Sequence, residues 1–184
     1  MKLPLSGSQT VGPYFAIGMG ALYTDAIPMP AGSDPIIIEG RLLDGEGEPV
    51  PDGVLEIWQS DPQGSYSATP SAEPIGFARI STAPDGSFRF TTTKPDPIAY
   101  DSHSTQAPHL LVLVYARGLQ RNLVTRMYFP DESSNAADPI LQLVPAERCR
   151  SLIATLTSPG ILQWDIHLRG NPAKSQPETV FFAW

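Results

Sequence analysis

The chain has 184 residues, 41% of them hydrophobic, and a formal net charge of -7. That length supports one domain with a real core rather than two, and the acidic balance argues against nucleic acid or an anionic membrane as partner, since both demand basic patches. The 20 prolines and 15 glycines follow no period, which excludes a collagen-like chain and favours short strands joined by many turns.

Residues 1–34 are rich in Gly, Pro, Ser and Ala without sustained periodicity, so they are expected to form an arm that crosses the surface of a partner. The opening MKLPLSGSQTVGPYF lacks an unbroken apolar run, and no later segment approaches the length of a membrane span. An unprocessed, soluble chain is expected. From Pro35 onward the pattern is that of a single domain, residues 35–184. Ile36 to Leu43 is apolar and β-branched and ends at the turn Asp44-Gly45-Glu46-Gly47. Asp52-Gly53 opens a second strand, VLEIWQ.

Ser60 to Ser81 is polar and weakly patterned, and is expected to be a long loop over the end of a sheet, a kind of loop that is usually functional or partner-bound. Ser87 to Thr92 alternates, with Phe88 and Phe90 inward. After an irregular stretch, Leu110 to Ala116 is a continuous apolar run suited to a strand covered on both faces, and LVTRMYF forms another strand after the Gly118 turn. Pro145 to Leu156 is the one expected helix, with Leu152, Ile153 and Leu156 as its apolar side. Ile161 to Leu168 closes the set by alternation. Six or more short strands with one short helix predict a mainly β fold, a β-sandwich.

Cys149 is the only cysteine, so no intrachain disulfide is possible and the cytoplasm is the expected compartment. The three histidines, His103, His109 and His167, make no self-contained metal motif. His109 sits in an apolar strand, and Leu111, the next residue on the same face, cannot bind a metal. Alone, such a histidine is more often a core residue than a ligand. No hydrolase elbow or phosphate-binding loop is present. Arg117 follows a buried strand in Tyr115-Ala116-Arg117-Gly118, where its guanidinium can hold a carboxylate by two hydrogen bonds, though a solvated turn arginine fits the same pattern. Thr10, Gly12, Pro13 and Tyr14 combine a hydroxyl, an open backbone position, a rigid turn and a ring, which suits either an aromatic pocket or an ordinary anchoring turn.

Several segments, taken in order, carry a resemblance. They are SQTVGPY (8–14), LEIWQSD (55–61), APHL (107–110), YARG (115–118), TRMYF (125–129) and ETVFF (178–182). Together the chain resembles the intradiol ring-cleavage dioxygenases along nearly its whole length, only the stretch around 62–75 being uninformative. The resemblance implies a β-sandwich and a non-haem ferric ion held by two tyrosines and two histidines. It also implies intradiol cleavage of a catechol, here protocatechuate, by O2. The kind of member it resembles is an alpha chain, joined to a beta chain that carries the Fe(III) ligands.

Matched residue by residue, the ligand positions are mostly absent. Pro70 to Ile75, before Gly76-Phe77-Ala78-Arg79, contains no tyrosine, and Tyr66 lies too early. Ile98 stands where the second tyrosine belongs, with Tyr100 two residues late. His109 is retained and Leu111 replaces its partner. One ligand of four cannot hold catalytic iron, so the resemblance leaves this chain a substrate-side role, with Thr10, Gly12, Pro13, Tyr14 and Arg117 lining the beta chain's pocket. Two other readings remain: a self-sufficient enzyme using Tyr66, Tyr100, His103 and His109 in a shifted iron site, and a non-catalytic β-sandwich binding module.

Overall fold

Strand β1 (Ile36–Leu43) organises the first of two sheets in a computed structural model that describes residues 7–28, 32–61, 64, 66 and 76–183. β1 pairs antiparallel with β4 (Ser87–Thr92), and parallel first with β10 (Ile161–Gln163) and then with β11 (Ile166–His167). β10 also pairs antiparallel with β9 (Thr155–Ser158). The strand expected over 161–168 is therefore interrupted at Trp164 and Asp165, yet the register on β1 is the same on both sides of the break. Gly40 explains it. A Cβ there would lie 1.8 Å from the Trp164 carbonyl oxygen, so only glycine lets that backbone approach. The next amide, Arg41 N–H, donates to the Asp165 side chain at 2.9 Å in place of a ladder partner.

The second sheet has the order β3 (Phe77–Ser81), β2 (Val54–Trp58), β7 (His109–Tyr115), β8 (Leu123–Tyr128), all antiparallel. β3 corrects the expectation of a loop through Ser81: Ala78 and Ile80 alternate inward, a signal too short and small to read beside a polar loop. Most of residues 62–75 lie outside the described residues. A hairpin, β5 (Ile98–Ala99) with β6 (Thr105–Gln106), occupies the stretch expected to be irregular. Its turn is held by the Asp101 carboxylate, which accepts N–H bonds from His103 and Ser104.

The core fills the space between the sheets. Ile38, Leu42, Phe88, Phe90, Leu162 and Ile166 meet Leu55, Ile57, Ile80, Leu110, Val112, Val114 and Met127, all buried. Each such side chain stabilises the fold by roughly 1.5–3 kcal/mol. The arm joins this core at its end: Ile27 is fully buried, and Asp25 to Ile27 run beside Thr91 through two backbone hydrogen bonds of 2.9 Å. Ahead of it, helix α1 (Tyr14–Gly18) lays Phe15 against the ring of Tyr115, with centroids 5.5 Å apart.

The helix expected over 145–156 is shorter. It comprises α2 (Ala146–Cys149) and a 3-10 turn at Arg150–Leu152. Ile153 then bridges Tyr128, and the Ala154 N–H bonds to the Tyr128 carbonyl at 3.0 Å. β-branched Ile153, Thr155 and Thr157 suit this extended path better than a helix. A second small core of Ala107, Tyr128, Leu141, Val144, Leu152 and Val180 forms there. No helix among the described residues is long and apolar enough to cross a membrane.

Candidate functional site

In β7, Leu110, Val112 and Val114 point into the main core, so His109, Leu111, Leu113 and Tyr115 share the outer face. Across the ladder His109 stands opposite Tyr128, and Leu111 opposite Arg126. His109 is 1% exposed. Its Nδ1 lies 2.7 Å from the Ala107 carbonyl oxygen, and its Nε2 lies 3.2 Å from the Tyr66 hydroxyl. A carbonyl can only accept, so Nδ1 carries the proton and Nε2 accepts from Tyr66. Burial, reinforced by the positive charge of Arg126, pushes the His109 pKa down to about 4.

Around this histidine the polar groups bond to one another. Arg126 donates to the Gln106 side chain at 2.7 Å and to the Tyr128 hydroxyl at 3.3 Å. That hydroxyl donates in turn to Asp138 at 3.2 Å. Asp138 is fully buried and also accepts the amides of Ala107, Ile140 and Leu141 at 2.7–2.8 Å. Burial raises the pKa of Tyr66 and of Tyr128 against the lowering effect of Arg126, so both stay phenols at neutral pH.

Counting back from Gly76 places Tyr66 too early for a ligand position, yet its hydroxyl reaches His109. Ile98 lies on β5 opposite Gln106, beside the same network. The segment 70–75 lies outside the described residues. The shifted set of Tyr66, Tyr100, His103 and His109 is not gathered: Tyr100 and His103 are exposed at the β5–β6 turn, with His103 Nδ1 2.7 Å from the Ser102 hydroxyl.

A different group assembles at the other end of β7. Thr10 Oγ1 accepts the Gly118 N–H at 2.7 Å, joining the arm to the turn after the strand. Arg117 is 55% exposed and its Nε bonds Asp52 at 2.8 Å, which fixes the guanidinium beside the start of β2. The role of Asp52 is not visible in the sequence, where Asp52-Gly53 marks only the start of a strand. The Gly12 carbonyl accepts the Phe15 N–H at 3.1 Å, Pro13 caps α1, and Tyr14 is 81% exposed. A Cβ at Gly12 would meet nothing within 4 Å among the described residues. From His109 to Tyr115 the strand advances roughly 20 Å, so the arm and Arg117 lie far from the His109 network.

A family profile described as dioxygenase matches residues 10–170. The chain belongs to the intradiol dioxygenase family. It is 39% identical to the protocatechuate 3,4-dioxygenase alpha chain of Burkholderia cepacia, with 95% of each chain covered. To the beta chain from the same organism it is 31% identical over 75% of this chain and 66% of that one. Among solved structures, the dioxygenase domain of a carbohydrate-binding fusion protein from Streptomyces sp. SirexAA-E superposes with a TM-score of 0.61 at 23% identity, covering 81% of this chain and 89% of that one. Its likeness bears out the expected β-sandwich.

Intradiol dioxygenases depend on non-haem ferric iron, and the outer face of this chain does not fit that ion. Iron needs anionic tyrosinates and unprotonated imidazole nitrogens pointing at one place. Here the His109 Nε2 lone pair is taken by a phenol, Leu111 offers no donor atom, and a guanidinium stands across from it. Among the described residues no group of three or more His, Cys, Asp or Glu side chains is placed to hold a metal.

Proposed function

We propose that this chain is the alpha subunit of a protocatechuate 3,4-dioxygenase, active only with its beta chain. The complex opens protocatechuate between its two hydroxylated carbons with O2, giving 3-carboxy-cis,cis-muconate for the cytoplasmic β-ketoadipate route. Ferric iron held by the beta chain supplies the activation of the catechol toward O2. This chain supplies the substrate side. Residues 1–34 act as the arm on the partner and 35–184 as the domain that carries it. Arg117 and Thr10 bind the carboxylate that distinguishes protocatechuate from catechol, Gly12 and Pro13 form a wall against the ring, and Tyr14 packs beside them.

The observation that carries this reading is the separation along β7. Thr10 and Arg117 are tied to the strand's far end, Arg117 held there by Asp52, roughly 20 Å from His109. They cannot line a pocket centred on this chain's own His109. A pocket on another chain is the role this reading gives them, and the similarity to both an alpha and a beta chain supports that partner. Gly12, whose added Cβ would meet nothing within 4 Å among the described residues, suits contact with something outside the chain.

The test is to express the chain alone and with its beta partner, and to measure iron, visible colour and protocatechuate-dependent oxygen uptake. Iron, tyrosinate-to-iron charge-transfer colour and activity are expected only in the complex. A coloured, active chain on its own overturns the reading, and absence of any complex favours a binding module.

A further inference from the structure

We propose that Arg126 is a built-in cation that takes the place of a metal ion on the outer face of the second sheet, holding the polar groups there and barring the pocket to transition metals. This inference rests on family membership and this chain's own residues, and not on the subunit reading.

Arg126 is buried and stands directly opposite Leu111 in the β7–β8 ladder, where facing Cβ atoms lie about 5 Å apart. His109, two residues before Leu111, shares that face. Any ion bound by a nitrogen at position 109 and a donor at position 111 would therefore sit close to a fixed guanidinium. In a pocket closed to water such like charges repel strongly. A buried arginine is itself tolerated only if its donors are met, and Arg126 has two acceptors among the described residues. Gln106 accepts from Arg126, Tyr128 links it to Asp138, and Asp138 spends its other lone pairs on three backbone amides. The Tyr128 hydroxyl links the buried carboxylate to the guanidinium, and the carboxylate's other donors among the described residues are neutral amides. Arg126 thereby ties β8 to β6 through Gln106 and to the turn at Ile140–Leu141 through Tyr128 and Asp138, as a metal ion ties together the elements that supply its ligands.

The two charges can be separated from the missing ligand by rebuilding the ligand. In the full-length chain, Leu111→His restores a His-x-His pair, and Co2+ alone is the probe because its visible d–d bands report coordination without any catalytic activity. Leu111→His, and Leu111→His with Arg126→Lys, are expected to bind Co2+ no better than the parent chain. Leu111→His with Arg126→Gln is expected to gain d–d bands and at least tenfold tighter Co2+ binding. Equal Co2+ affinity with and without Arg126 in the Leu111→His background overturns the proposal, and so does failure of a folded Leu111→His/Arg126→Gln chain to gain Co2+ affinity. Should that double variant not fold, thermal unfolding decides: Arg126→Lys must stay nearer the parent midpoint than Arg126→Met, and an equal loss in both overturns it. None of these readouts needs the beta chain, so the outcome is independent of whether the alpha-subunit assignment holds.

Discussion

The Tyr66 hydroxyl lies 3.2 Å from Nε2 of His109, a contact between a loop residue and a strand residue 43 positions apart. With Nδ1 already donating to Ala107, it leaves no free nitrogen on the ring. Tyr66→Phe removes the only donor to a buried acceptor among the described residues and is expected to cost about 1–2 kcal/mol of stability, measured by urea unfolding. A change below the error of that measurement would show that water serves His109 equally well.

His109 also gives the chain a pH signature. Its pKa is about 4 when folded and 6.5 as the ordinary value, so in this window the unfolded state binds the extra proton. Stability is complete above about pH 6.5 and falls as the pH drops toward about 4, by up to about 3 kcal/mol. His109→Gln lacks this group, so its stability is expected to depend less steeply on pH over that range. Parallel curves for the two proteins would assign the acid sensitivity to other groups.

Arg117→Ala tests the substrate side. In the complex with the beta chain it is expected to raise KM for protocatechuate, lowering kcat/KM about 10- to 100-fold, the size of a lost charge-assisted carboxylate contact. Iron content should stay unchanged. Steady-state oxygen uptake that matches the parent complex would remove Arg117 from the pocket.

Gly12→Ala separates fold from assembly. Because a Cβ at Gly12 meets nothing within 4 Å among the described residues, the thermal midpoint of the chain is expected to stay within about 1 °C, in line with a shift under about 0.2 kcal/mol. KM for protocatechuate in the complex should rise. A kinetic profile identical to the parent would show that nothing outside the chain approaches Gly12.

Gly40→Ala has the opposite profile. The added methyl collides with the Trp164 carbonyl, and relief requires moving β10 away from β1. A loss of roughly 3 kcal/mol is expected in denaturant unfolding. A loss under about 1 kcal/mol would mean that the backbone yields there easily.

The strands of the core were legible because burial on one face prints a two-residue period: Phe88 and Phe90, and Leu110, Val112 and Val114, lie inward as their spacing predicts. β3 was not legible, since Ala78 carries little apolar signal next to a polar loop. The helix over 145–156 was overextended because Leu156 has helical spacing, while the β-branched residues around it favour strand β9. At the site, Ile98 and Leu111, which the resemblance sets at ligand positions, were visible as residue types that carry no donor. The polar network beside them was not. Tyr66, Gln106, Arg126 and Asp138 converge through loop path and cross-strand register, and neither is written in local spacing. The same limit hid Asp52 as the partner of Arg117.

β7 carries a histidine network at one end and the arm's attachment at the other, and variants along it should therefore divide into two phenotypes. Changes near His109 will lower the yield of folded chain in any setting, with or without a partner. Changes at the exposed end, Arg117 above all, are expected to disturb the isolated chain less and to become most visible once a second polypeptide is supplied. A mutational survey scored on solubility alone would thus pass over Arg117, where loss of activity is expected to concentrate.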